Sequence, residues 1–161
     1  MKQKIILLVV SLMMVTHSFA ETIIGEVVGV TDGDTVTLLD SDQVQHKVRL
    51  AGIDAPEKKQ AFGNVSKKAL SDCAYSKTAH VETTKSDRYG RKVGKVTVDG
   101  VDCNLRQIKL GMAWHYKKYM NEQPSGDRQM YASAQIKAMV DHTGLWADVE
   151  AVPPWEFRKS R

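Results

Sequence analysis

The chain has 161 residues, of which 42% are hydrophobic and 26% charged, with 23 basic and 19 acidic side chains and a formal net charge of +4. That length and apolar content suit one domain with a proper core. The charge balance is compatible with a polyanionic partner but too even to establish one.

The first twenty residues carry Lys2 and Lys4, an apolar run from Ile5 to Val15, and then Ser18-Phe19-Ala20. A basic start, a short apolar stretch and a small-residue cut site predict a secretory signal peptide over 1–20, leaving 21–161 as a single domain. The run is too short to span a bilayer, so an uncleaved anchor is disfavoured, and Glu21 in place of Cys gives no sign of a lipid anchor. Loss of its two lysines leaves a formal net of about +2. The expected destination is the periplasm or the medium, with no membrane association after cleavage.

Three strands follow in the order "TIIGEVVGV" (22–30), "TVTLL" (35–39) and "QHKVRL" (45–50), with "DSDQ" as the turn between the last two, so the three read as a meander. "NVSKKALSDCAY" (64–75) reads as a helix with Val65, Ala69, Leu70 and Cys73 on one face. Two more strands, 78–84 and 92–98, are separated by the turn "DRYGR", and Asp99-Gly100 closes the second. Asn104, with Gln107 three residues on, is the expected cap of a second helix that Gly111 ends. Asp127 is the expected cap of a third helix running through Asp141 and stopped by Gly144, and "KKYMNEQPSGD" reads as a polar loop before it. Cys73 and Cys103 make an even pair in a chain that carries an export signal, so one disulfide is expected. The basic residues gather at Arg88 to Lys95, at Lys117-Lys118 and in the closing "FRKSR".

The element order fits an α+β, mainly β architecture: a five-stranded Greek-key barrel of OB type carrying three helices. Order alone leaves a generic α+β sandwich open.

The chemistry sits in three short segments. "TDGDTVTLLD" opens the second strand with Asp32 and Asp34 on either side of a glycine, and "RLAGIDAPE" places Arg49, Asp54 and Glu57 within nine residues. A lone "DGD" is commonly only a turn. The meander, however, brings both segments together, and four carboxylates at one end of it suit a hard divalent cation, Ca²⁺ better than Mg²⁺. The twelve-residue spacing of an EF-hand is absent. "DRYGR" adds Arg88 and Arg91 beside this acidic region, and guanidinium groups fork onto phosphate oxygens.

Taken together and in this order, "DGDTVTL", "RLAGIDAPE", "DRYGR" and "LGMAW" resemble the staphylococcal nuclease (thermonuclease) family over roughly Ile24 to Trp146. The resemblance implies an OB-type barrel with three helices, Ca²⁺ as cofactor, DNA and RNA as substrates, and 3′-phosphate products. By motif position, Asp34 and Asp54 resemble the family's direct metal ligands together with the Ala55 carbonyl, and Asp32 and Glu57 the outer shell. Glu57 also resembles the general base, while Arg49 and Arg91 resemble the pair that grips the reacting phosphate. Tyr89 matches a position near the nucleotide pocket, Arg88 adjoins it, and Tyr116 and Tyr119 are candidates for its walls. Ala55 stands where some members have Thr, a change of little weight if only its carbonyl is used. The Cys pair and the tail "PPWEFRKSR" lie outside the catalytic motifs, with Trp146 and Trp155 expected to serve packing. A monomer is expected.

Two other classes compete with this reading. A non-catalytic OB-type module would bind nucleic acid without cutting it, and would not need the full set Asp34, Asp54, Glu57, Arg49 and Arg91. A secreted Ca²⁺-binding structural domain would leave the arginines unexplained.

Overall fold

A computed structural model of the chain describes residues 21–160; the expected signal peptide, 1–20, lies outside them. Its strands are β1 (Glu21–Asp32), β2 (Thr35–Asp40), β3 (Gln45–Leu50), β4 (Ile53–Asp54), β5 (Thr78–Ser86), β6 (Lys92–Val98), β7 (Val101–Asp102) and β8 (Trp114–His115). The helices are α1 (Gly63–Ala74), α2 (Cys103–Lys109), α3 (Ser125–Val140) and the single turn α4 (Pro154–Phe157).

The five strands expected from alternating hydrophobicity are all present, with β1, β2, β3, β5 and β6 forming a closed mixed barrel. β1 is the hub, antiparallel to β2 from Gly25 to Asp32 and to β5 from Glu21 to Glu26. Closure comes from a short parallel contact in which Val48, Arg49 and Leu50 of β3 face Lys92, Val93 and Gly94 of β6. A closed sheet has no long edges, which is how small all-β cores avoid exposing unpaired backbone. The apolar residues of these strands meet inside it: Val27, Val36, Leu38, Val48, Leu50, Val81, Val96 and Val98 are all buried.

The helices cover the barrel where the sequence places them, with differences in how they start. α1 buries Ser66, Leu70, Cys73 and Ala74, whereas Val65 is 54% exposed, contrary to the expected face. The reason is that the buried stripe contains a serine, whose hydroxyl donates to the Met112 carbonyl at 2.7 Å, and hydrophobic periodicity cannot see such a residue. α2 is capped by Asp102, not Asn104: the Asp102 carboxylate accepts from Leu105 N at 2.9 Å. Asn104 is a buried member of the helix instead. Its amide accepts from Val96 N and donates to the carbonyls of Ala51 and Gly94, joining backbone groups beside the β3–β6 closure. α3 begins at Ser125 with Pro124 before it, so Asp127 lies in its first turn and pairs with Lys95 at 3.0 Å rather than capping. The segment Lys117–Glu122, expected as loop, forms a 3-10 helix. The expected disulfide is present, joining Cys73 near the end of α1 to Cys103 at the start of α2.

Candidate active site

Asp32 and Asp34 flank the turn between β1 and β2, and the glycine between them is required by packing. A Cβ on Gly33 would lie 1.8 Å from Ser66 Oγ and 2.7 Å from Ala55 Cβ, so any side chain there would push the acids away from the segment they must meet. That contact has a polar counterpart: Asp34 Oδ2 accepts from Ala55 N at 2.8 Å, tying the first acidic segment to the second.

Arg49 sits opposite Thr35 in the β2–β3 ladder and bridges both segments. Its Nη1 lies 2.9 Å from Asp34 Oδ2 and its Nη2 3.0 Å from Asp54 Oδ1. Asp54 is held in β4, which pairs with Trp114 of β8. Both carboxylates are buried, Asp34 at 6% and Asp54 at 1% exposure, and burial costs them hydration that nearby positive charge and hydrogen-bond donors must replace. Burial pushes the Asp54 carboxyl above the usual carboxylate range, opposed by Arg158 and Arg49. Asp32 is pushed up to about 6, first by burial and then by the negative charge of Asp34.

The turn between β5 and β6 is organised by Asp87. Its Oδ1 accepts from the backbone N–H groups of Tyr89 and Arg91, and its Oδ2 from Arg91 Nε at 2.7 Å, which fixes the direction of that guanidinium. Gly90 takes φ +77°, a conformation that suits glycine. The Arg88 and Arg91 guanidinium groups lie 4.8 and 5.6 Å from the Tyr89 ring centroid.

These pieces line one open cleft of about 880 Å³. Its lining includes Asp32, Asp34, Arg49, Asp54, Ala55 and Glu57, together with Arg88, Tyr89 and Arg91 and with Tyr116 and Tyr119. The two tyrosine rings meet edge-on at 5.6 Å. Lys85 and Lys118 approach the Tyr119 ring, giving the wall a basic and aromatic character suited to a nucleotide.

One residue was not anticipated. Arg158, from the tail set aside as lying outside the motifs, enters the same cleft. Its Nη2 is 2.7 Å from Asp54 Oδ2, and its Nη1 is 2.7 Å from Glu57 Oε1 and 3.3 Å from Asp54 Oδ1. The only hint in the sequence was the basic "FRKSR", and a separation of 104 residues gives no local sign of where it docks.

The donor set fits a hard cation by its chemistry. It is oxygen only, half of it buried, and its buried acids favour added positive charge. Among the described residues no group of three acidic, histidine or cysteine side chains is gathered as a ready cage, and arginines lie against the oxygens of Asp34 and Asp54.

With the geometry in place, comparison with known proteins decides the lineage. A sequence model described as "Staphylococcal nuclease homologue" matches residues 47–148. The chain belongs to the staphylococcal nuclease family. It is 43% identical over 133 residues to a protein of Haemophilus influenzae named "Uncharacterized endonuclease", covering 83% of this chain and 71% of that one. A protein of Shigella flexneri named "Micrococcal nuclease" is 37% identical over 145 residues, covering 84% of this chain and 80% of its own length. An Escherichia coli O157:H7 protein named "Uncharacterized endonuclease" is 39% identical over 135 residues, with 83% and 84% covered. The barrel described above is consistent with this nuclease family and its OB-type fold.

Proposed function

We propose that the protein is a Ca²⁺-dependent nuclease that hydrolyses phosphodiester bonds of DNA and RNA and leaves 3′-phosphate ends. Family membership and the endonuclease names of its relatives support the nuclease part. The observation that carries the placing of the chemistry in this cleft is the position of Arg49, forked across Asp34 and Asp54 with Glu57 and Arg91 in the same lining; the metal, the substrates and the 3′-phosphate ends rest on the family resemblance.

Asp34, Asp54 and the Ala55 carbonyl would hold the cation, with Asp32 and Glu57 reaching it through water. Bound there, Ca²⁺ would polarise a phosphoryl oxygen and lower the cost of the negative charge that builds on it. Glu57, on the segment stiffened by Pro56, takes a proton from the attacking water. Arg49 faces the equatorial phosphate oxygens. Arg91, aimed by Asp87, neutralises charge near the departing 5′-oxygen. No step uses a 2′-hydroxyl, so both DNA and RNA serve. Tyr116, Tyr119 and Tyr89 offer flat surfaces for the sugar and base, and Arg88 adds positive charge at the mouth. We further propose export to an oxidising compartment, which the disulfide supports, and action as a monomer.

The test is incubation of the purified protein with single-stranded DNA, duplex DNA and RNA in Ca²⁺, in Mg²⁺ and in chelator. Cleavage of all three with Ca²⁺, little with Mg²⁺ and none with chelator is expected, since Mg²⁺ demands a stricter octahedral shell. Full activity in excess chelator would overturn the metal assignment. Binding without cleavage under every condition would instead favour a non-catalytic nucleic-acid-binding module.

A further inference from the structure

The tail does more than pack. From Val152 onward it is fastened at several points: Gln60 Nε2 donates to the Val152 carbonyl at 2.6 Å, Pro154 is buried, and Trp155 lies against Trp114 at 6.4 Å and Tyr116 at 5.5 Å between ring centroids. This anchoring carries Arg158, one turn further on, onto the carboxylates of Asp54 and Glu57.

The consequence is a conflict over oxygens. Asp54 Oδ2 receives Arg158 Nη2, and Asp54 Oδ1 is shared by Arg49 Nη2 and Arg158 Nη1. Both oxygens of the most buried carboxylate in the site are therefore taken by guanidinium groups. Arg49 comes from within the barrel and is 16% exposed at its side chain, whereas Arg158 comes from the chain's end and is 44% exposed. Of the two, Arg158 is the more exposed to solvent and the one that a one-turn helix can release.

We propose that the segment 153–158 is a latch: Arg158 holds Asp54 and Glu57 in place of a divalent cation, and the cation must displace it to bind. The latch rests on reading Asp34 and Asp54 as cation-holding carboxylates. Its chemical logic is that a guanidinium can pair with Asp54 and Glu57 and fix their directions but brings one positive charge where a divalent cation brings two, and cannot polarise a phosphoryl oxygen as a metal does. The closed form is thus folded, with Asp54 and Glu57 paired, and inactive. Displacement swaps one cation for another at Asp54, the carboxylate that Arg158 shares with the proposed cation site, and Arg158 lies outside the barrel strands.

The test measures metal binding, not turnover. Ca²⁺ affinity is determined by titration calorimetry for the wild type, Arg158→Gln and Arg158→Lys, with far-ultraviolet circular dichroism to verify the fold. Tryptophan emission during the same titration is followed in wild type and in Trp155→Phe. With the latch removed, Arg158→Gln should bind Ca²⁺ about tenfold tighter or more, the factor expected when the closed form holds at least nine-tenths of the population. Arg158→Lys, which keeps the charge but loses the fork, should fall between. Ca²⁺ should also change emission in the wild type, with most of that change absent in Trp155→Phe. Equal affinities in wild type and Arg158→Gln would overturn the latch while leaving the metal site intact. Weaker binding in Arg158→Gln would overturn it by showing that Arg158 only positions the carboxylates. No Ca²⁺ binding by any variant would bring down the latch together with the metal reading beneath it.

Discussion

Replacing Asp32 by Asn tests the electrostatics of the acidic segment directly. In the folded protein Asp32 is raised from 3.8 to about 6, by burial first and by the Asp34 charge second. A carboxyl raised on folding binds more protons in the native state than in the unfolded chain, so between pH 3.8 and about 6 stability falls as pH rises. Above that window the full cost of the charged form is present. At about 1.36 kcal/mol per pH unit the displacement corresponds to at most about 3 kcal/mol, and solvent screening at this half-buried position brings the expected value to about 1 to 2 kcal/mol. Asn keeps the amide oxygen that can accept from Asp34 N, as Asp32 Oδ1 does at 3.1 Å, so the turn itself is preserved. In chelator, Asp32→Asn should therefore melt about 3 to 6 °C above the wild type near pH 7.5, taking about 3 °C per kcal/mol for a domain of this size. The gap should nearly close by pH 3.5, where the folded carboxyl is protonated and the unfolded one largely so. Equal melting temperatures at the higher pH, or a gap of the same size at the lower one, would refute the reasoning.

Two further outcomes follow from the site and the staple. Glu57→Gln and Arg91→Ala should each lower kcat by about two to four orders of magnitude with far-ultraviolet circular dichroism unchanged, since both side chains are partly open to the cleft and the proposed mechanism has each act on the transition state. A loss of activity smaller than tenfold would remove that residue from the chemistry. Reducing Cys73–Cys103, which closes a separation of 30 residues, should cost about 3 to 4 kcal/mol in the chain-entropy account while leaving activity per folded molecule nearly constant. Two reactive thiols in the denatured, unreduced protein would contradict the bridge.

What could be read in advance, and what could not, divides along a physical line. The barrel strands announce themselves because Val27, Val36, Leu38, Val48 and Leu50 must point one way while their neighbours face water, and period two is visible in any window. The cleft residues were legible for another reason: Asp32, Asp34, Arg49, Asp54 and Glu57 lie at the ends of strands that are consecutive in the chain, so the meander itself gathers them. Polar residues with structural duties left no such trace. Asn104 looks like a cap because caps and buried amides draw on the same residue types, and only the three backbone partners show which role it has. Ser66 is likewise silent until Gly33 and Met112 are seen against it.

Arg158 marks the limit of local reading most sharply. A basic tail is ordinarily a solvated one, and the cost of ordering a long side chain at the end of a chain argues against its docking anywhere. Here the tail is held before the arginine is reached, by Pro154 in its buried seat and by the rings of Trp114, Tyr116 and Trp155. Much of the ordering cost is therefore met by apolar contact upstream, and the guanidinium arrives already positioned. One of its partners, Asp54, is an acid that burial has left short of positive charge, so the pairing satisfies a need created by a residue about a hundred positions earlier. An aromatic anchor followed three residues later by an arginine is thus the feature to seek in tails that follow a barrel with buried carboxylates, and neither half is informative without the other.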